Sequence, residues 1–134
     1  MTITDQHWSP INTLAVQRIT SLDVSPDGRR LAFTVIRAVM TPEKDGYLAQ
    51  VYLAESEGKL PRQLTTGETS SFSPQWSPNG WSIAFLSRNN IWLMSLPSGN
   101  TCPVTDMPTS GSSFKWSPDG SMIAFTIADD PESA

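Results

Sequence analysis

The chain has 134 residues, a formal net charge of −4 and a single cysteine, Cys102. That acidic balance speaks against nucleic acid and anionic membranes as partners, because both select a basic face, and one cysteine excludes an internal disulfide. The longest apolar runs, such as "IWLM" and "MIAF", have four residues, too few for a membrane span, and no basic segment with an apolar core opens the chain, so a cytoplasmic protein is expected. Eleven prolines, eight glycines and 38% hydrophobic residues predict many turns between short elements, which is an all-β pattern.

The leading segment reads "HWSPINTLAVQRI". Ser9 suits a helix N-cap and Pro10 the first helical position. Ile11, Leu14, Ala15 and Arg18 or Ile19 then share one stripe, so a short helix is expected, anchored by Trp8. The same letters also allow "LAVQRI" to be a strand that pairs with the last blade of the fold.

Beyond it the chain repeats. "SPDG" stands at 25–28 and 117–120, and "SPNG" at 77–80. Three residues past Gly28, Gly80 and Gly120 come Leu31, Ile83 and Ile123, then Ala32, Ala84 and Ala124, then Phe33, Phe85 and Phe125. Two residues before each proline stand Val24, Trp76 and Trp116, preceded by the polar Asp23, Gln75 and Lys115. In each copy the first run alternates apolar and polar residues, as "FKWS" does, and reads as a half-buried strand. Pro26, Pro78 and Pro118 preset φ at the first corner of a turn; Asp27, Asn79 and Asp119 suit the second; Gly28, Gly80 and Gly120 take the left-handed position. A three-residue connection is expected, with the glycine as a bulge. "MIAFTI" is then the returning strand, with Ile123, Phe125 and Ile127 on one face and Ala124 on the other.

The second copy continues through a turn at Asn89 and Asn90, a strand "IWLMSL", a turn "PSGN" and a short strand "TCPVTD", where Pro103 suits an edge. Four antiparallel strands in about 40 residues make a β-propeller blade. The first copy is 12 residues longer, and the excess falls between Val35 and Gln50. It is read as an extended hairpin with "TPEKDG" at its tip, followed by strands "QVYLAE" and "LPRQLT". The third copy stops after its first hairpin. The expected fold is all-β, about two and a half four-stranded antiparallel propeller blades after a short N-terminal helix. The divisions are a leader at 1–19, a first blade at 20–66, a second at 67–106, half of a third at 107–128 and a tail at 129–134.

"SPDGRRLAF" followed by "QVYLAESEGKLPRQLT" resembles the TolB-type propeller repeat, which also builds the N-terminal propellers of the prolyl oligopeptidase family of serine peptidases. "HWSPINTLAVQRITSLDVSPDGRRLAFTV" is similar to the opening of that family's acylaminoacyl-peptidase and dipeptidyl-aminopeptidase branch. The resemblance covers roughly residues 7–127. It implies a propeller that caps a C-terminal α/β-hydrolase domain carrying the catalytic serine, aspartate and histidine, and that narrows access to it. The chain itself is then a non-catalytic segment of that gate, and its partners are the missing hydrolase domain or further blades. Two alternatives stay open: a TolB-like scaffold for protein contacts, and a short chain that completes its ring by self-assembly through the strand edge at 114–127.

No catalytic residue is assigned. A nucleophile elbow needs Gly-x-Ser-x-Gly between strand and helix, and "GWSIA" lacks the second glycine, so Ser82 reads as a solvated strand residue. The one histidine, His7, lies in the leader. No cofactor is expected and no metal site either, since Asp129, Asp130 and Glu132 lack calcium-loop spacing. Cys102 reads as a small strand residue. Trp76, Trp92 and Trp116 are expected between blades. Trp81, just past a turn glycine, and Lys44, at the hairpin tip, are the candidate partner contacts.

Overall fold

Each proline–glycine turn closes on itself through five hydrogen bonds. In the first, Gly28 N–H donates to the Ser25 carbonyl (2.8 Å) and Ser25 N–H to the Arg30 carbonyl (2.8 Å). Arg30 N–H donates to Ser25 Oγ, that hydroxyl donates to Asp27 Oδ1, and Arg29 N–H donates to the same carboxylate oxygen. Ser77 with Asn79, and Ser117 with Asp119, repeat the set. Four residues therefore separate the bonded pair Ser25 and Arg30, one more than the expected three. The wider mouth frees backbone N–H groups, and the serine hydroxyl and the acidic or amide side chain accept from them. Gly28, Gly80 and Gly120 adopt φ of 75°, 78° and 77°, a conformation that costs glycine little.

The computed structural model describes residues 17–41, 44–55, 59–106 and 113–126. All of its elements are strands joined into antiparallel sheets. β1 (Gln17–Val24), β2 (Arg30–Thr41), β3 (Lys44–Glu55) and β4 (Arg62–Gln63) form one four-stranded sheet in chain order. β5 (Ser71–Trp76), β6 (Ser82–Ser87), β7 (Asn90–Ser95) and β8 (Thr101–Pro103) form a second. β9 (Phe114–Trp116) and β10 (Ile123–Phe125) form a two-stranded third.

Several boundaries differ from the sequence reading. Ser9 to Ala15 of the expected helix lie outside the described residues, but Arg18 and Ile19, offered as the end of its stripe, belong to β1. They pair with Ile36 and Val35 of the adjacent β2, not with a distant blade. The third strand begins at Lys44 rather than Gln50, because β2 and β3 keep unbroken register from Arg30↔Glu55 to Thr41↔Lys44. The β6–β7 turn sits one residue earlier than expected. Ser87 pairs with Asn90, and the corners with positive φ are Arg88 (53°) and Asn89 (63°). The register that stacks Phe85 beside Trp92 and Ile83 beside Met94 sets that position, and Asn90 Oδ1 is then free to accept from the Thr105 hydroxyl at 2.7 Å.

The core lies in the seams between sheets. Ala32, Val51 and Leu53 of the first sheet pack on Trp76, Ile83, Phe85, Met94 and Leu96 of the second or just after it. Ala84, Leu86 and Ile91 on the other face of the second sheet pack on Phe114 of the third. Successive β6 residues thus serve alternate seams, as the two-residue period of a strand requires. A strand with both faces covered is apolar throughout, which is why "IAFL" has no polar interruption.

Candidate interaction surface

Two columns of the repeat join the sheets. Trp76 is buried in the first seam; its indole N–H donates to the Asp23 carbonyl (2.9 Å) and its backbone N–H to the Asp23 carboxylate (2.7 Å). One seam later, the Trp116 indole donates to the Gln75 carbonyl (3.3 Å) and the Gln75 amide to the Phe114 carbonyl (2.7 Å). The tryptophan of each sheet is therefore held by the polar residue of the sheet before it. Arg30 adds a further tie, with its guanidinium 4.5 Å from the Trp76 ring and donating to the Gly80 carbonyl at 2.8 Å.

The turns line up along one face. A Cβ on Gly80 would stand 3.7 Å from Pro26 Cδ, and one on Gly120 would stand 3.4 Å from Pro78 Cδ. Pro26 and Pro78 thus sit against the glycine of the following turn. Asp27, Asn79 and Asp119 are exposed beside them. The Ser117 hydroxyl, then the Ser121 N–H and hydroxyl, hold the Asp119 carboxyl down to about 2. Asp27 is lowered as well, chiefly by the Ser25 hydroxyl and then by the Arg29 N–H. Trp81, directly after Gly80, is 62% exposed on this face, with its carbonyl taken by Leu96 N–H at 2.8 Å. Lys44 opens β3 far from it along the hairpin, so the two candidate contacts belong to different elements.

The serines before each proline, Asp23 and Gln75 in the column before Val24 and Trp76, and Arg30 were not singled out as functional by the sequence. Their signal was present as recurrence: a serine in all three turns and a polar residue in all three copies of the column. Ser82 opens β6, where its N–H and carbonyl close the turn onto Ser77. It stands between a turn and a strand, which is not the setting of a nucleophile elbow. His7 and Trp8 lie outside the described residues. Among the described residues no group of three or more His, Cys, Asp or Glu side chains is placed to hold a metal ion.

The first sheet carries Ile19, Leu22 and Val24 on its face away from the second sheet, 57, 62 and 58% exposed. Val24 occupies the column that holds Trp76 and Trp116 in the other sheets. Met122, just before β10, is exposed, and so in part is Phe125, which lies opposite Phe114 on the side of the second sheet.

Residues 44–132 match the family of the dipeptidyl peptidase IV (DPP IV) N-terminal region. Among curated proteins, the chain is 33% identical over 101 residues to an uncharacterized peptidase, YuxL, of Bacillus subtilis, covering 70% of this chain and 15% of that protein. It is 28% identical over 88 residues to dipeptidyl-peptidase 5 of Porphyromonas gingivalis, covering 64% of this chain and 12% of that one. Among solved structures, the acylaminoacyl peptidase of Pyrococcus horikoshii superposes with a TM-score of 0.65 at 19% identity, over 81% of this chain and 17% of that chain. The chain spans less than a fifth of the length of each of these proteins. With its sheets, seams and repeat all of one kind, the chain belongs to the dipeptidyl peptidase IV N-terminal region family, the N-terminal propeller of the prolyl oligopeptidase group of peptidases.

Proposed function

We propose that this chain is the opening part of a propeller that stands over the hydrolase domain of a serine peptidase, admits peptides and keeps folded proteins out, and supplies no catalytic group itself. The observation that carries this reading is the uncovered face of the first sheet. Repeat units are stable when neighbours cover their faces, and a stripe of Ile19, Leu22 and Val24 left more than half exposed calls for a further sheet. Relatives many times longer, two of them named as peptidases or dipeptidyl-peptidases, support a parent chain that continues into a hydrolase.

Gating of this kind depends on seams that resist parting. In the intact protein, Trp76→Ala removes the indole bond to Asp23 and the ring under Arg30. It is expected to raise kcat/KM for a long unfolded polypeptide several-fold while that for a dipeptide substrate changes little. Faster hydrogen exchange at Asp23 and Trp76 with no change in the ratio of the two rates would rule out the gate. Peptide hydrolysis by the purified 134-residue chain would rule out its non-catalytic part.

A further inference from the structure

The three turns share their backbone bonds but not the chemistry of their second corner, which holds Asp27, Asn79 and Asp119 in turn. Of the chain's asparagines, Asn79 alone precedes a glycine. A glycine nitrogen has no side chain beside it to block its approach to the preceding side-chain amide. Asn79 is also exposed, so water reaches it.

Two donors meet on the Asn79 side-chain oxygen: the Ser77 hydroxyl at 2.7 Å and the Trp81 N–H at 2.9 Å. A backbone N–H can only donate, so the atom it reaches is the carbonyl oxygen of the amide and not its nitrogen. Donors already aimed at a carbonyl oxygen stabilise the negative charge that gathers there when its carbon is attacked. The same pair of donors holds a carboxylate oxygen in the other two copies: the Ser25 hydroxyl and Arg29 N–H on Asp27, and the Ser117 hydroxyl and Ser121 N–H on Asp119. The corner is therefore built to receive a carboxylate, and the second copy carries an amide in it.

We propose that Asn79 is a site of spontaneous covalent modification, its side-chain amide being hydrolysed in the folded protein to the aspartate that the other two turns carry. The Gly80 nitrogen attacks Asn79 Cγ, a reaction favoured because both groups belong to adjacent residues. The amide nitrogen leaves as ammonia with the proton from Gly80, and a cyclic imide remains. Water then opens the imide, at Cγ to give aspartate or at the backbone carbonyl to give isoaspartate. The balance is one water consumed and one ammonia released, with nothing oxidised or reduced. Gly80 N–H is bonded to the Ser77 carbonyl at 2.9 Å, so attack follows release of that bond. Isoaspartate lengthens the main chain by one carbon inside the span that Ser77 closes onto Gly80 and Ser82, whereas aspartate keeps its length, so the fold selects aspartate. The site is independent of the gate reading, since it needs neither a hydrolase nor a closed ring.

The test is incubation of the intact protein at mildly alkaline pH, folded and in parallel unfolded in urea, followed by peptide mapping with mass spectrometry that separates aspartate from isoaspartate. In the folded protein residue 79 is expected to convert with aspartate several-fold in excess, while the unfolded chain gives mainly isoaspartate. Asn100, exposed as well but followed by Thr101, should remain an amide in the folded sample. The product form is read separately in Asn79→Asp, which should keep the melting temperature of the unaltered protein and whose Trp81 amide should titrate together with those of Arg29 and Ser121. An unchanged residue 79 in the folded protein while the unfolded chain converts, isoaspartate as the main folded product, or a lowered melting temperature of Asn79→Asp would overturn the proposal.

Discussion

Asp119 and Asn79 occupy the same corner of successive turns, accept from the same kinds of donor, and differ in that only one of them titrates. A carboxylate that accepts two or three hydrogen bonds is favoured in its charged form, which is why Asp119 is held to about 2 against an ordinary 3.8. A folded value below the unfolded one means that the bonds contribute above about pH 4 and are lost as pH falls toward 2. Asp27 shifts in the same direction. The first and third turns are therefore expected to loosen between about pH 4 and 2 while the second holds. Amide shifts of Arg29 and Ser121 should titrate, and that of Trp81, whose N–H donates to the Asn79 side-chain Oδ1, should not. A common titration of all three would mean that the braces are not what holds the corners.

At the scale of elements, the glycines separate backbone strain from contact. Gly28 and Gly80 share nearly the same φ, but a Cβ at Gly28 meets nothing within 4 Å, whereas one at Gly80 meets Arg30 Nη2 at 3.4 Å. Gly28→Ala is expected to cost only the left-handed penalty of about 1–2 kcal/mol. Gly80→Ala should cost more, because Arg30 must also shift from the Trp76 ring; denaturant midpoints of the two variants decide this. The hairpins around these glycines were legible in the letters because turn chemistry and strand alternation are local. The β6–β7 corner was not. Asn89 and Asn90 look like the better turn pair, but register is decided by which side chains reach the seams, and that moved the corner onto Arg88. The tie between sheets was illegible for the same reason: Trp76 and Asp23 stand 53 residues apart, and only the packing of one sheet on the next brings them together.

At the scale of the whole molecule, the two ends of the stack are not alike. The first sheet offers Ile19, Leu22 and Val24 on the face of the Trp76 column, and the third offers the opposite face, that of Ala124, which is exposed. Within the chain, faces of these two kinds meet each other at every seam. When the 134-residue chain is prepared alone, the end of one copy is expected to dock on the beginning of another and produce head-to-tail assemblies that grow with concentration. Val24→Glu, which places a charge on the first face, should return it toward the monomer. Sedimentation velocity across a concentration series reads both, and a monomer at every concentration in the unaltered chain would exclude this pairing of ends.

Pro26 seated against Gly80, and Pro78 against Gly120, have a geometric consequence. Each such contact sets the wedge angle between one sheet and the next, and equal wedges laid side by side trace a circle. The number of sheets in the circumference is then a full turn divided by that angle. A quantity that describes the whole ring is in this way set by the clearance between one pyrrolidine ring and one Cα, repeated at each step.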